Sequence, residues 1–301
     1  MKSHDVFSFG VVSSSTLYGI QGEFPGAEGY AEIDDVRHMT GGEATNSSIV
    51  LARLGVQVKL DGNWVGADDN GRRTKALLAD YKIDTSRLPL REGYSGVQEV
   101  VFATKDTRTI FGTYCRLQED AAWNEPHEDD VSQAKAVCLD PFFKEASYRT
   151  AEIGARKGIP VITVDCGYDD PLLKHVSAIV IAESYIRENY PDHELEDLFR
   201  LYQNNCEGLV IFTFGDKAIW YARSDQSVQT QQPYGVRAVD TTGGGDSFRA
   251  GIVYGFMNRW ADEQMIDFAA AVAAIVCTRF PGVMHAPTCD EVMDFMHAAK
   301  A

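Results

Sequence analysis

The second half of the chain alternates short apolar runs with helical segments, and this pattern constrains the fold more than any other feature. From Ala136 onward the order is "AVCLD", a predicted helix near 145–157, "PVITVD", a short helix, "AIVIA", the helix "HELEDLFRLYQ" and "GLVIFTFG". Such alternation is typical of βαβ units around a mostly parallel sheet. Ligands of such sheets bind at the carboxyl ends of the strands, so we expect the functional site at that edge.

The first half of the chain adds a strand, a helix and a hairpin. The apolar run "VFSFGVV" predicts a strand, and "GGEATNSSIVLARLG" predicts a helix with an apolar face at Ile49, Leu51, Ala52 and Leu54, followed by Gly55 at its end. Between 95 and 114, "VQEVVFATKDTRTIFGTY" reads as two β-rich runs separated by a polar turn at 105–107. We expect this hairpin to cover a site and exclude water.

Composition limits the partners that the chain can take. The 301 residues are 45% hydrophobic, which suits one large α/β domain or two smaller ones. Lys and Arg number 28 against 44 Asp and Glu, and the net charge is −16. That charge opposes non-specific binding to nucleic acid or anionic membranes, so we expect a small-molecule partner. An anionic ligand would need metal ions, backbone N–H groups or a few basic side chains at its site.

Cysteines, histidines and apolar runs together predict a soluble cytoplasmic protein. No C-x-x-C pair occurs, and several cysteines lie in apolar segments, so they read as reduced core thiols. The histidines show no zinc-ligand spacing. The longest apolar run, "AAAVAAIVC", is far shorter than the ~20 residues that span a bilayer. The six cysteines are Cys115, Cys138, Cys166, Cys206, Cys277 and Cys289.

The stretch "DTTGGGDSF", from Asp240 to Phe248, places three glycines ahead of a predicted helix that starts near Asp246. It can be read as a flexible turn or as a cradle of backbone N–H groups, to which the helix dipole adds positive potential. Asp246 is either the helix N-cap or a base that accepts a proton from an attacking hydroxyl. The chain has no G-x-x-x-x-G-K-[ST] and no protein-kinase motif set, so a P-loop or protein kinase is not supported.

This stretch resembles the D-T-x-G-A-G-D signature of the ribokinase, or PfkB, family of carbohydrate kinases, with Gly244 in place of the usual alanine. Four further segments, in order, are similar to the family, and they cover nearly the whole chain. They are "GGEATNSSIVLARLG", "VGADDNGRRTKALLADYKID" through Gly66, Asp68 and Gly71, the lid strand "DTRTIFGTY", and "TFGDKAIWYA".

The resemblance implies a fold and a set of site residues. The fold is a Rossmann-like three-layer α/β/α domain over 1–301, with a small β-sheet lid formed from about 13–35 and 93–116. Asp246 would deprotonate the acceptor hydroxyl, ATP with Mg²⁺ would be the donor, and backbone N–H groups would stabilise the transferred phosphoryl group. Those N–H groups belong to Gly243, Gly244 and Gly245; Gly41, Gly42 and Asn46 would hold sugar hydroxyls; Thr213, Gly215 and Gly245 would lie near the nucleotide.

Two positions depart from the family pattern. Many members carry an aspartate shortly after the first strand, where it binds sugar hydroxyls, and the matching position here is Ser15 in "GVVSSST". Serine can form hydrogen bonds but supplies no carboxylate, and the alternative is that 13–16 form only a polar turn. The family's N-x-x-E motif near Mg²⁺ is replaced by "AESY", in which Glu183 either serves the metal through water or is a helix N-terminal charge.

Few residues of the sequence indicate which substrate the protein binds. "TYCR" places Tyr114 and Arg116 two apart, similar to the Y-x-R of ketodeoxygluconate kinases and some fructokinases; on a strand both would face one side. Arg116 would then pair with a substrate carboxylate, or it is a solvated residue offset by neighbouring acids. Arg108, in "DTRTI", is a second candidate for binding an acidic or phosphorylated substrate. The resemblance also implies a K⁺ site at Asp240 and Thr242.

We therefore predict a kinase that transfers the γ-phosphoryl group of ATP to a hydroxyl of a sugar or sugar acid. The alternatives are a nucleoside kinase of the same fold, with an aromatic base platform drawn from Phe24, Tyr30 and Phe102, and a catalytically silent sugar- or nucleotide-binding regulator. A homodimer formed through the lid is a further expectation.

Overall fold

A computed structural model describes residues 4–104 and 108–300, so the turn predicted at 105–107 lies outside the described residues. The strands are β1 Val6–Gly10, β2 Ser13–Ile20, β3 Ile33–Gly41, β4 Val58–Gly62, β5 Val65–Gly66, β6 Leu90–Arg91, β7 Val97–Ala103, β8 Arg108–Gly112, β9 Ala136–Leu139, β10 Val161–Val164, β11 Ala178–Ala182, β12 Leu209–Thr213, β13 Ile219–Ala222 and β14 Gln229–Gln231.

The helices are α1 Glu43–Arg53, α2 Asp69–Asp80, α3 Tyr114–Glu119, α4 Glu128–Gln133, α5 Glu145–Arg156, α6 Glu183–Asn189, α7 Leu195–Asn205, α8 Gly244–Met257, α9 Asp262–Cys277 and α10 Cys289–Lys300. Short 3₁₀ helices lie at Pro141–Phe143, Pro171–His175 and Val283–His285. Within residues 4–104 and 108–300, no helix combines the length and the apolar character that crossing a bilayer requires.

The central sheet has the strand order β14-β13-β12-β11-β10-β9-β1-β4. Its strands from β12 to β4 pair in parallel, and β13 and β14 add antiparallel pairs at one edge. Alternate strand residues bury on opposite faces: Val6 packs with α1, α8 and α9, whereas Phe7 packs with α5 and α7. The predicted three-layer α/β/α fold is confirmed.

A second sheet, which we call the lid, has the order β3-β2-β7-β8. β2 pairs antiparallel with β3 and parallel with β7, and β7 pairs antiparallel with β8. The register gives the lid two faces. Ser13, Ser15 and Leu17 of β2 are buried on the inner face, and the alternate residues of the same strand lie on the outer face.

Two local expectations were wrong. Tyr114 and Arg116 lie in α3 and not on a lid strand, because the chain turns into a helix directly after Gly112. Residues two apart on a helix point in nearly opposite directions, so these side chains do not share a face. All six cysteines are free as expected, but Cys115 is exposed, and Cys277 and Cys289 are only half-buried.

Candidate active site

Asp246 lies in the first turn of α8, at the edge of the sheet where the parallel strands end. Its Oδ2 accepts a hydrogen bond of 2.8 Å from Asn46 Nδ2, and its backbone carbonyl accepts one of 2.9 Å from Ser47 Oγ. Both donors belong to α1, so the GGEATN segment and the glycine segment meet here although they are far apart in sequence. The structure therefore brings together two of the motifs that carry the family resemblance.

Gly243 and Gly245, two of the three glycines before Asp246, have different reasons to lack a side chain. Gly243 is the N-cap of α8 with φ 71°, and a Cβ there would lie 2.3 Å from Val283 Cγ2. Gly245 is different, since nothing lies within 4 Å of the position that its Cβ would occupy. Helix geometry leaves the first N–H groups of α8 without intrahelical partners. The open space at Gly245 therefore lies beside backbone donors and the positive end of a helix dipole, as an anion site requires.

A buried ion pair between Arg249 and Asp140 holds the elements of this site together. Arg249, one turn after Asp246 and fully buried, donates from Nη1 to Asp140 Oδ1 at 2.7 Å and from Nε to Ser47 Oγ at 3.0 Å. Asp140 follows β9, and its Oδ2 accepts the backbone N–H groups of Val11 and Ala44 at 2.7 and 3.0 Å. One carboxylate thus fixes the end of β1, the start of α1 and the first turns of α8 relative to one another.

Burial raises the pKa of the Asp246 carboxyl to about 6, against the opposing effects of the Arg249 charge and the Asn46 hydrogen bond. A carboxyl with a pKa near neutrality is suited to accept a proton and release it again. The carboxyl of Asp246 can therefore exchange a proton at a pH close to neutrality.

Glu43, the first residue of α1, was not predicted to be a site residue, although it lies within the segment "GGEATN". Its Oε2 is buried without a hydrogen-bond partner among the described residues. Burial, with the nearby charges of Asp140 and Asp246, raises the pKa of Glu43 to about 8. Asp140 was also missed, although its place after "AVCL" at the carboxyl end of a strand could have identified it.

The lid contributes Ser15, Glu99 and Arg108 from its inner face. Ser15 pairs with Glu99 in the parallel ladder of β2 and β7, so the two side chains are neighbours on that face. Arg108 reaches across to the glycine segment, where its Nη1 donates to Thr242 Oγ1 and lies 3.8 Å from Asp240 Oδ1. The lid therefore contacts the segment that leads into α8.

We call the space between the inner face of the lid and the starts of α1 and α8 the cleft, and Gly41, Gly42 and Tyr114 lie beside it. Gly41 ends β3, and a Cβ at this position would lie 2.5 Å from Glu99 Oε2. Gly42 has φ 96°, and a Cβ there would lie 2.2 Å from the Val11 carbonyl oxygen. Tyr114 donates its hydroxyl hydrogen bond to Glu99 Oε1, whereas Arg116 is exposed. Burial, followed by the Glu99 charge, raises the pKa of Tyr114, so its hydroxyl keeps its proton.

Thr213, Gly215 and Glu183 lie farther along the same edge. Thr213 ends β12 and pairs with Ala182 of β11, and Glu183 follows Ala182 as the first residue of α6. Glu183 Oε1 accepts a hydrogen bond of 2.9 Å from Lys217 Nζ. Within the described parts of the chain, no three His, Cys, Asp or Glu side chains are grouped so that they could hold a metal ion.

Asp240 ties the glycine segment to the loop after α9. Its Oδ1 accepts the Thr242 N–H at 2.9 Å, and its Oδ2 accepts the Gly282 N–H at 3.3 Å. With Arg108 also close, the carboxylate has several partners in this arrangement. A monovalent cation at Asp240 and Thr242 stays a prediction.

Comparison with known proteins identifies the family of this chain. A pfkB family carbohydrate kinase domain matches residues 3–289. The chain is 25% identical over 291 residues to a 5-dehydro-2-deoxygluconokinase of Geobacillus thermodenitrificans, covering 87% of this chain and 85% of that protein. It is 29% identical over 271 residues to a nucleoside kinase of Methanothermobacter thermautotrophicus, covering 84% and 83%.

The fold is also found in a solved structure. Arabidopsis thaliana ribokinase complexed with ribose and ATP superposes with a TM-score of 0.81 at 17% identity, over 97% of this chain and 98% of the other. The family match spans nearly the whole chain, and the motifs that meet around Asp246 are those through which the sequence resembles that family. The chain belongs to the pfkB family of carbohydrate kinases, which are phosphotransferases with an alcohol group as acceptor.

Proposed function

We propose that this kinase transfers the γ-phosphoryl group of ATP to a hydroxyl of a sugar-like acceptor, with Asp246 as the base. The observation that carries the proposal is the placement of Asp246: a carboxyl with a pKa of about 6, held by Asn46 in the first turn of α8, beside an N-terminus with open space at Gly245. A proton acceptor and a set of phosphate-binding donors are therefore adjacent, as phosphoryl transfer requires.

In the proposed reaction Asp246 accepts the proton of the acceptor hydroxyl as its oxygen attacks the γ-phosphorus. The N–H groups at the start of α8 lie where charge develops on the transferred group, and preorganised donors of this kind are each worth about 3 kcal/mol in a transition state. Asn46 holds the carboxylate through its 2.8 Å hydrogen bond. The lid, through Arg108 on Thr242, would close over the acceptor and exclude water.

The residues present fit ATP and Mg²⁺. Mg²⁺ is usually bound through one or two carboxylates together with substrate phosphates, so it needs no dedicated protein cage. Glu183 supplies one such carboxylate near the ends of β11 and β12, close to Thr213. When bound, Mg²⁺ would neutralise charge on the phosphates. Lys217 would then give up its hydrogen bond to Glu183, since the Glu183 carboxylate would serve the metal ion.

Three classes of acceptor remain for this site: sugars, sugar acids and nucleosides. The names of the relatives also cover more than one of these classes. Phe102 lies on the face of β7 opposite Glu99, where it stacks on Tyr18 at 5.4 Å and meets Phe24 at 5.9 Å. Two of the three aromatic residues considered as a base platform, Phe24 and Phe102, are therefore on the outer face of the lid, and the third, Tyr30, is 84% exposed in the loop between β2 and β3. This placement favours a sugar over a nucleoside. Cytoplasmic location and K⁺ dependence stay predictions.

The direct test replaces the base. We expect Asp246→Asn to lower kcat by about 10²–10⁴-fold, the usual contribution of a general base, while nucleotide affinity changes little. ADP release measured across ribose, fructose, 2-keto-3-deoxygluconate, inositols and nucleosides gives kcat, and calorimetry gives the nucleotide affinity. A near-normal kcat in Asp246→Asn would refute the assignment, and the absence of turnover with every acceptor would support the silent-regulator alternative.

A further inference from the structure

One buried oxygen atom beside the cleft, Oε2 of Glu43, has no hydrogen-bond partner among the described residues. A buried polar atom left unsatisfied costs about 1–3 kcal/mol, and native proteins contain few of them. Glu43 belongs to the segment that contains the predicted sugar-binding residues Gly41, Gly42 and Asn46, so its free oxygen indicates a ligand group that would complete the hydrogen bond.

Glu99 supplies a carboxylate on the lid face where the sequence lacks one. Ser15 stands at the position where many family members carry an aspartate, and β7 places Glu99 directly beside it on the inner face. Tyr114 fixes Glu99 by donating to its Oε1, which leaves Oε2 close to Gly41. The carboxylate that position 15 lacks is thus available from the neighbouring strand.

The charges around Glu43 favour a cationic ligand: burial and the negative charges of Asp140 and Asp246 raise the pKa of Glu43 to about 8, so this carboxyl is protonated near neutral pH in the free protein. Glu99 and Asp246 also belong to the cleft, while Arg249 is paired with Asp140 and Arg108 is bonded to Thr242 and lies close to Asp240. Sugar hydroxyls would form hydrogen bonds to these carboxyl groups but would not compensate their negative charge. An acidic substrate would be repelled by that charge. A protonated amino group supplies hydrogen-bond donors and the opposite charge together.

We propose that the acceptor is a polyhydroxylated compound that carries a protonated amino group, recognised by Glu43 and Glu99. The proposal rests on the proposed kinase function, because it concerns the acceptor of that reaction. It differs from the expectation of a sugar acid held by Arg108 and Arg116. Arg108 is bonded to the glycine segment, and Arg116 lies two residues after Tyr114 on α3, so it leaves the helix nearly opposite to the side from which Tyr114 contacts Glu99.

The test uses related compounds of different charge: each amino compound carries an ammonium group in place of one hydroxyl of the neutral sugar, and gluconate is an open-chain acid. D-Glucose is compared with D-glucosamine and D-gluconate, and D-fructose with 1-amino-1-deoxy-D-fructose. Calorimetry with Mg²⁺ and a non-hydrolysable ATP analogue gives affinity, and ADP release gives kcat/KM. We expect each amino compound to bind about tenfold or more tighter than its neutral partner, as one charged hydrogen bond allows. Gluconate should bind more weakly than glucose.

Variants then assign the preference to the two carboxylates. Glu43→Gln and Glu99→Gln should each reduce the amino-to-neutral affinity ratio about fivefold or more, as loss of a charge-assisted hydrogen bond predicts. The ratio is measured within one protein, so a partial loss of folded protein does not affect it. Glu119→Gln, at an exposed site on α3, is the control and should keep the wild-type ratio. Adding Ser15→Asp to Glu99→Gln should restore part of the preference.

Each outcome decides the inference. Equal or weaker binding of the amino compounds by the wild-type protein overturns it, as does a ratio that both glutamine variants leave unchanged. ADP release with neutral sugars alone overturns the inference but keeps the kinase function. Preferential binding of the amino compounds without any ADP release supports the inference and refutes the proposed function.

Discussion

Asn46 controls the proton affinity of the proposed base. Its side-chain amide donates to Asp246 Oδ2, and that hydrogen bond favours the ionised carboxylate and lowers a pKa that burial has raised. Removal of the amide in Asn46→Ala should raise the pKa of Asp246 further. Because the base works as the carboxylate, the acidic limb of the kcat profile should move to higher pH than in the wild-type protein. A pH series of ADP release between pH 5 and pH 9 measures the limb.

Asn46→Asp serves as the comparison for this prediction. A second carboxylate in place of the donor adds repulsion and should move the limb at least as far as alanine does. A limb that stays at the wild-type position in both variants would show that Asp246 is not the group that titrates.

Glu43 should make folding stability depend on pH. Its folded-state pKa of about 8 lies above the ordinary value of 4.5, so the folded protein binds more protons than the unfolded chain between these values. The stability contributed by the protonated carboxyl is therefore lost as pH rises toward and through 8. Glu43→Gln removes this loss, and we expect it to raise Tm relative to wild type at pH 9, by about 2–4 °C for each kcal/mol recovered.

The comparison at low pH makes that result specific. At pH 5 the wild-type carboxyl is protonated, so glutamine should give nearly the same Tm, as measured by differential scanning calorimetry. Glu119→Gln, at an exposed site, should show no such pH-dependent difference. A Glu43→Gln protein that is less stable than wild type at both pH values would contradict a buried, costly carboxylate.

At the residue scale the sequence predicted the groups whose chemistry is local. Asp246 and Asn46 were identified from motifs, and the structure places them in contact. Arg249, Asp140 and Glu99 were not, because their importance comes from contacts across the fold: Arg249 pairs with a residue more than a hundred positions away. The place of Asp140 at the end of a strand could have identified that residue, but a single sequence contains no signal that it pairs with Arg249.

Gly245 and Gly243 separate two uses of glycine at the start of α8. Gly245→Ala places a methyl group where no protein atom lies within 4 Å, and alanine is a better helix former by about 1 kcal/mol. We therefore expect Tm to stay or rise. The methyl group would occupy the space through which a phosphate approaches the backbone, so we expect KM for ATP to rise or kcat to fall, by about tenfold or more, consistent with loss of one or more charge-assisted donors.

Gly243→Ala is the matched variant. Its positive φ and the 2.3 Å approach to Val283 Cγ2 predict a lower Tm from strain alone. If Gly245→Ala keeps wild-type kinetics, the open space beside α8 does not receive the phosphate group.

At the element scale, periodicity predicted most strands and helices but not the ends of the lid strands. The predicted helix near 145–157 is α5, Glu145–Arg156, because its apolar spacing and its following polar residues are both local signals. The chain from Thr113 into α3 gave the wrong prediction because "TYCR" fits a strand as well as a helix. α8 begins two residues earlier than expected, which places Gly244 and Gly245 inside its first turn.

The whole molecule combines a strongly acidic surface with one conspicuously apolar face. The net charge of −16 follows directly from the sequence. The apolar face could not be predicted from the sequence, because it depends on the register of the lid strands. That register puts Tyr18, Val36, Phe102 and Phe111 on the outer side of the lid, away from the cleft. Val36 is 51% exposed and Phe111 is 54% exposed. A contiguous apolar face of this kind usually marks an interface.

We therefore keep the prediction of a homodimer formed through the outer face of the lid. Light scattering after gel filtration at tens of micromolar should give twice the monomer mass of 33.3 kDa. Val36→Asp with Phe111→Asp should halve that mass, because opposed carboxylates would be desolvated at the interface. Since both side chains are more than half exposed, Tm measured on the monomeric variant should stay close to the wild-type value at equal mass concentration.

Leu195→Asp, an exposed apolar position on α7, is the control and should remain a dimer. A wild-type protein that runs as a monomer, or a double variant that still dimerises, would place any association elsewhere than the lid.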